Sequence, residues 1–152
     1  MSAFDPKTFG QMTFNQANST KVTPVPVGEH AGVCAKWEVL PWASREDPQN
    51  KNGLKMNVLF DIDGEAVKEI TKRTQNYVRY EYFLDLTPEG MLDMGEGKNV
   101  KLGRLREALG LNTPGTPFSF DMMLGRRAMC AIQHRLVGED PVAEIKAIAK
   151  LG

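Results

Sequence analysis

The sequence predicts a mainly β fold: five strands, one helix between the third and fourth, and an extended N-terminal arm. Three observations carry this. Apolar and polar residues alternate with period two in separate stretches of the first ninety residues or so, the mark of half-buried strands. A single run, "NVKLGRLREALG", has good helical spacing. Between these lie clusters of Pro, Asn, Asp and Gly that break regular structure. At 152 residues the chain suits one domain with its own core, and 41% hydrophobic with 25% charged residues is the balance of a soluble globular protein.

Residues 1–26 show little periodicity, and "FNQANSTKVTPVP" reads as an extended or mobile arm ahead of a domain spanning 27–152. Phe4, Phe9 and Phe14 are its candidate anchors, to the body or to a neighbouring copy. In "EHAGVCAKWEVL", Ala31, Val33, Ala35, Trp37 and Val39 alternate with Gly32, Cys34, Lys36 and Glu38, so the first set is expected inward. "PWASREDPQNKNG" is a long polar loop. In the second strand Leu54, Met56, Val58, Phe60 and Ile62 share the core face, and Asp63-Gly64 is expected to be a hairpin turn. "EAVKEITKRTQ" fits either a continuing strand or a short helix. In "NYVRYEYFLDL", Val78, Tyr80, Tyr82, Leu84 and Leu86 fall on one face, read as core. Tyr77, Arg79, Glu81, Phe83 and Asp85 fall on the other. In the helix, Asn99 is the expected N-cap, Leu102, Leu105 and Leu109 the buried face, and Gly110 the stop. "RAMCAIQHRLV" and "VAEIKAIAKL", joined by "GEDP", supply the last two strands.

Zero net charge counts against nucleic-acid binding by bulk charge alone. The charge is uneven, however. Residues 97–135 carry Lys98, Lys101, Arg104, Arg106, Arg126, Arg127 and Arg135 against Glu107 and Asp121, so a local basic surface is conceivable. Two distant cysteines, Cys34 and Cys130, without a CxxC pattern suggest free thiols in a reducing cytoplasm. "MSAFDPKTFG" lacks the pattern of a secretory signal, and the apolar runs fall far short of a membrane span.

Five strands with a helix after the third match a small Greek-key barrel of the OB type. The runs "PVPVGEHAGVCAKWEV", "NGLKMNVLFDI", "LGRLREALGL" and "LGRRAMCAIQHRL" together resemble phage-encoded OB-fold single-stranded-DNA-binding proteins, over residues 24–151. The chain departs from many of that group in ending "KAIAKLG" instead of an acidic tail. The resemblance implies a non-enzymatic role in phage DNA replication or recombination in a bacterial cytoplasm. The implied partners are single-stranded DNA, phage replication or recombination proteins and a second copy of the chain, with no membrane and no cofactor.

Binding single strands in this way needs cations for phosphates and flat side chains for bases. Tyr77, Arg79 and Phe83 supply both on one strand face, although the two rings could instead pack under the arm or in a dimer. Trp42 stands in a loop beside Arg45, Lys51 and Lys55, as a stacking ring or one folded back on the barrel. Lys72 and Arg73 flank a groove or are merely solvated, and Lys36 adds a cation on the first strand. Two rivals remain. One is a phage protein–protein module on the same barrel. The other is a metal-dependent nuclease using Asp61, Asp63 and Glu65 of "DIDGE", a run that lacks the rest of an EF-hand loop. No GxSxG, HExxH or Cys-His motif points to a hydrolase.

Overall fold

Alternation in β2 (Gly53–Asp61) and β3 (Tyr77–Leu84) produces the inner wall of a closed barrel. Met56, Val58 and Phe60, with Ile62 just beyond β2, are fully buried. Val78, Tyr80, Tyr82 and Leu84 of β3 are buried while Tyr77, Arg79, Glu81 and Phe83 point out, as the period-two reading requires. The computed structural model describes residues 4–42 and 53–151, without the side chain of Trp42. Three further strands complete the barrel: β1 (Gly28–Trp42), β4 (Arg127–Val137) and β5 (Asp140–Ala149). Their order is β1-β2-β3-β5-β4, with β4 pairing back onto β1. All neighbours are antiparallel except β3 and β5. This is the five-stranded, mainly β barrel expected.

The first strand corrects the reading in one respect. Gly32 and Cys34, not Ala31, Val33 and Ala35, turn inward over its first half. The register runs Cys34↔Phe60 and then Lys36↔Leu59, so Ala35 is an extra residue, a β-bulge. The bulge exchanges the faces. Beyond it Trp37 and Val39 pack against the core and Lys36 and Glu38 face out. It also marks where β1 parts from β4, since their pairing stops at Val33 while β1 and β2 continue together to Trp42↔Gly53. Gly32 sits where the strands crowd: a Cβ there would lie 2.8 Å from Ile62 Cδ1 and 3.3 Å from Cys130 Sγ.

Asp63-Gly64 does not make a hairpin. Gly64 leads into α2 (Glu65–Thr71), which buries Val67 and connects β2 to β3. The ambiguous segment is therefore a helix, ending at Lys72 in the left-handed conformation. Asp63 is held instead by Arg127, whose two terminal nitrogens donate to its two oxygens at 3.1 and 2.5 Å. That bond keeps the Asp63 carboxyl below its ordinary range.

The long helix α3 (Val100–Ala108) plugs the barrel with Leu102 and Leu105, followed by buried Leu109, and stops at Gly110 (φ 74°). Asn99 precedes it but does not cap it by side chain. Its amide instead bridges Asp85 and Asp93. Oδ1 accepts from Asp85 N–H at 2.8 Å, and Nδ2 donates to the Asp85 and Asp93 carbonyls, each at 2.9 Å. The helix start is thus tied to the end of β3. A 3₁₀ turn, η1 (Phe120–Met123), adds fully buried Met123 and stacks Phe120 on Trp37, whose indole N–H donates to Asp121.

Among the described residues the N-terminal segment contains a short helix, α1 (Pro6–Gln11), and otherwise no regular structure up to β1. Phe4, Phe9 and Phe14 do not pin it to the body. All three are exposed, and Phe4 meets only Phe9 among the ring contacts of the described residues. The attachments are polar and lie further along. His134 Nε2–H donates to the Val25 carbonyl at 2.7 Å, His30 Nε2–H donates to that of Pro26 at 3.0 Å, and Lys21 pairs with Asp140 at 2.7 Å. Val25 itself enters the core. Among the described residues no helix is long and apolar enough to cross a membrane.

Candidate functional site

A groove of about 850 Å³ runs over the outer face of β1, β2 and β3 and is walled by the outer half of the β4–β5 hairpin. Its floor follows from register. One cross-strand row is Lys36–Leu59–Arg79, the next is Glu38–Asn57–Glu81, and the next is Leu40–Lys55–Phe83. Each row stands outward because alternation assigns the other residues of these strands to the core. Without the bulge at Ala35, Lys36 and Glu38 would point into the barrel if the first half of β1 kept its orientation. The hairpin contributes Arg135, Glu144 and Lys146, and α3 contributes Lys101.

Of the ten residues singled out from sequence, the structure gathers Lys36, Lys55, Tyr77 and Arg79 at this groove. Phe83 lies half-exposed on the same face, opposite Lys55, but outside the groove lining. Lys72 and Arg73, at the end of α2, also lie outside it. Arg45 and Lys51 fall outside the described residues, as does the side chain of Trp42. The basic stretch 97–135 does not form one patch. Lys101 and Arg135 reach the groove, Arg106 covers the Phe118 ring at 4.2 Å, and Arg127 is engaged by Asp63.

Six cations therefore face three carboxylates in the groove: Lys36, Lys55, Arg79, Lys101, Arg135 and Lys146 against Glu38, Glu81 and Glu144. The carboxylates restrain half of the cations. Glu81 takes Lys55 at 3.1 Å and Arg79 at 3.6 Å, and Glu144 takes Arg135 at 3.1 Å. Lys36, Lys101 and Lys146 have no carboxylate partner among the described residues. Such pairs at partly exposed positions hold weakly, about 0–1 kcal/mol each, so an incoming anion can displace the carboxylate. Tyr77, half-exposed, offers a ring at the groove edge.

Sequence reading did not place Arg135, Lys146 or Asn57 in the site, nor Lys101; Arg135 and Lys101 entered it only as members of the basic stretch 97–135. Arg135 and Lys146 could have been found by extending the period-two alternation through the last strands, where Ala128, Cys130 and Ile132 are buried and Arg135 is exposed. Asn57 falls on the polar face of the second strand by alternation with Met56 and Val58, yet it is 4% exposed.

The rival carboxylate cluster is dispersed. Asp61 Oδ1 accepts the Asn76 backbone N–H at 3.0 Å, Asp63 is committed to Arg127, and Glu65 lies within 3.6 Å of Lys68. Among the described residues no three His, Cys, Asp or Glu side chains are grouped to hold a metal ion. Both thiols are buried, and burial pushes Cys34 up to about 11 and Cys130 up to about 12, so neither is poised as a nucleophile.

No protein-family model matches the chain, and no curated protein matches it.

Proposed function

We propose that the protein binds single-stranded DNA with little dependence on sequence, through the groove over β1–β3. The observation that carries this is the convergence of six cations from six separate elements on one groove with Tyr77 at its edge, in a chain whose net charge is zero. A neutral protein that concentrates its cations in this way gains local affinity for a polyanion without a basic surface overall. Phosphates take Lys36, Lys101 and Lys146 first, then compete with Glu81 and Glu144 for Lys55, Arg79 and Arg135. Bases stack on Tyr77, each stack contributing roughly 1–3 kcal/mol.

The strand order and the closure of β1 on β4 support a Greek-key barrel of the OB type, with residues 1–26 as an appended arm and 27–152 as the binding domain. The role is non-catalytic: coating single strands during phage DNA replication or recombination, in the cytoplasm of a bacterial host. Replication or recombination proteins and further copies of the chain are its protein partners.

A titration of labelled single- and double-stranded oligomers against salt tests the reading. Single strands are expected to bind more tightly. Each neutralised phosphate contributes a slope of about −0.7 in log K against log[salt], so three to six contacts give roughly −2 to −4. Equal affinity for both forms, or no binding at low salt, refutes it.

A further inference from the structure

Asn57 occupies the centre of the groove floor and has an unmet hydrogen-bonding group. Its Nδ2 donates to Glu38 Oε1 at 3.3 Å, which fixes the amide orientation, because the reverse would set oxygen against carboxylate. Its Oδ1 is buried and accepts nothing among the described residues. Buried polar groups are nearly always paired, so an orphan acceptor inside a binding groove marks a place for a donor. Its neighbours across the strands, Glu38 and Glu81, are acceptors too. The row is therefore a strip of acceptors, with Lys36 and Arg79 on one side and Lys55 on the other. Phosphates belong to the flanking cations, and the strip lies where base edges would fall.

We infer that this strip selects bases carrying an exocyclic amino group, with Asn57 Oδ1 accepting its N–H. The inference rests on the single-strand reading above and adds a base preference to otherwise indifferent binding. Cytosine presents an amino group at C4, and adenine and guanine carry one as well. Uracil and thymine present carbonyl oxygens on both sides of their single N–H donor, and these oxygens would meet Asn57 and the flanking carboxylates. Asn57 is 4% exposed with its Oδ1 buried, so side chains over the strip must shift as a base enters.

The test compares oligo(dC) with oligo(dU) of equal length at a pH above 7. The two polymers differ in the C4 substituent and the N3 proton it dictates, and neither has the thymine methyl group. Wild type is expected to bind dC at least about fivefold more tightly, the lower end of what a base-edge contact contributes. Asn57→Val, which suits a buried strand position and leaves no polar atom, should bring the dC/dU ratio close to one. A wild-type ratio near one overturns the inference whatever the variant does, and so does an unchanged ratio in a folded Asn57→Val protein. Either result leaves the single-strand reading standing. Failure to bind any single strand removes both.

Discussion

Replacing Glu81 by Gln should tighten DNA binding, although most substitutions in a binding site weaken it. Glu81 stands between two cations, with Oε1 3.1 Å from Lys55 Nζ and Oε2 3.6 Å from Arg79 Nη1. A phosphate approaching either cation must break one of these pairs and accept a carboxylate as a close neighbour. The side chains are 26%, 46% and 39% exposed for Lys55, Arg79 and Glu81, so solvent screens the pairs and each holds about 0–1 kcal/mol. Glutamine keeps the shape and an acceptor oxygen and removes only the charge. Releasing both cations then favours the complex by roughly 0.6–2 kcal/mol, about 3–30-fold in affinity. Fluorescence anisotropy with a labelled single strand at about 0.1 M salt reads the change, and the gain should shrink as salt shortens the Debye length from about 10 Å. A thermal melt on the same variant should show a stability loss of no more than about 1 kcal/mol. If the folded variant binds DNA no better than wild type, Lys55 and Arg79 do not contact phosphate and the groove assignment fails.

Four further outcomes follow from the same structure. Tyr77→Ala should weaken single-strand binding by roughly 1–3 kcal/mol with little change in melting temperature, whereas Tyr80→Ala, buried against Tyr82, should cost about 3–5 kcal/mol of stability. The reverse pattern in melts and titrations would place the wrong face of β3 in the groove. The Arg127 bond depresses the Asp63 carboxyl, so it stabilises the fold fully above the unfolded value of about 3.9 and is lost as pH falls through the lower folded value. Denaturant melts of wild type and Asp63→Asn should therefore differ at neutral pH and converge in strong acid. Cys34 and Cys130, buried with raised thiol values, should resist a thiol reagent in the native protein and react as two thiols only in denaturant. Gly32→Ala should destabilise by about 1–3 kcal/mol in a chemical melt, because its Cβ meets Ile62 and Cys130 inside the closing seam of the barrel.

The barrel was largely legible because its inward residues obey a strict local rule. In β2 and β3 the period-two pattern names each buried apolar side chain, and at the helix Leu102, Leu105 and Leu109 are buried as their spacing requires. The errors fall where a local rule has more than one physical outcome. Asp63-Gly64 is a good turn sequence, yet Val67 on the following segment has a core to enter, so the chain forms α2 before returning as β3. Asn99 is a good cap residue, yet its amide makes more hydrogen bonds by bridging Asp85 and Asp93. In β1 the small residues Ala31, Gly32, Val33, Cys34 and Ala35 carry too little contrast to reveal a bulge, so the face exchange was invisible there.

The bulge also explains why the candidate site was legible only in part. A binding face on a barrel is the complement of its core face, so locating it from sequence demands the correct parity on every strand at once. On β2 and β3 parity was readable, and Lys55, Tyr77 and Arg79 were found. On β1 the polar alternation at Lys36 and Glu38 gave the right face although the start of the strand was assigned the wrong one, because the bulge at Ala35 divides the two halves. On β4 and β5 alternation puts Arg135 and Lys146 outward, but residues 134–137 are all exposed, so outward parity alone does not single Arg135 out as part of a site. The acceptor strip is harder still. Glu38, Asn57 and Glu81 are far apart in sequence and become one row only through the register of three strands. That register depends on the bulge, since with Ala35 taken into the regular ladder Lys36 and Glu38 would turn toward the core. The feature least visible in the sequence thus aligns the carboxylates and the amide with the cations that flank them, and it makes the groove a graded surface rather than a uniformly basic one.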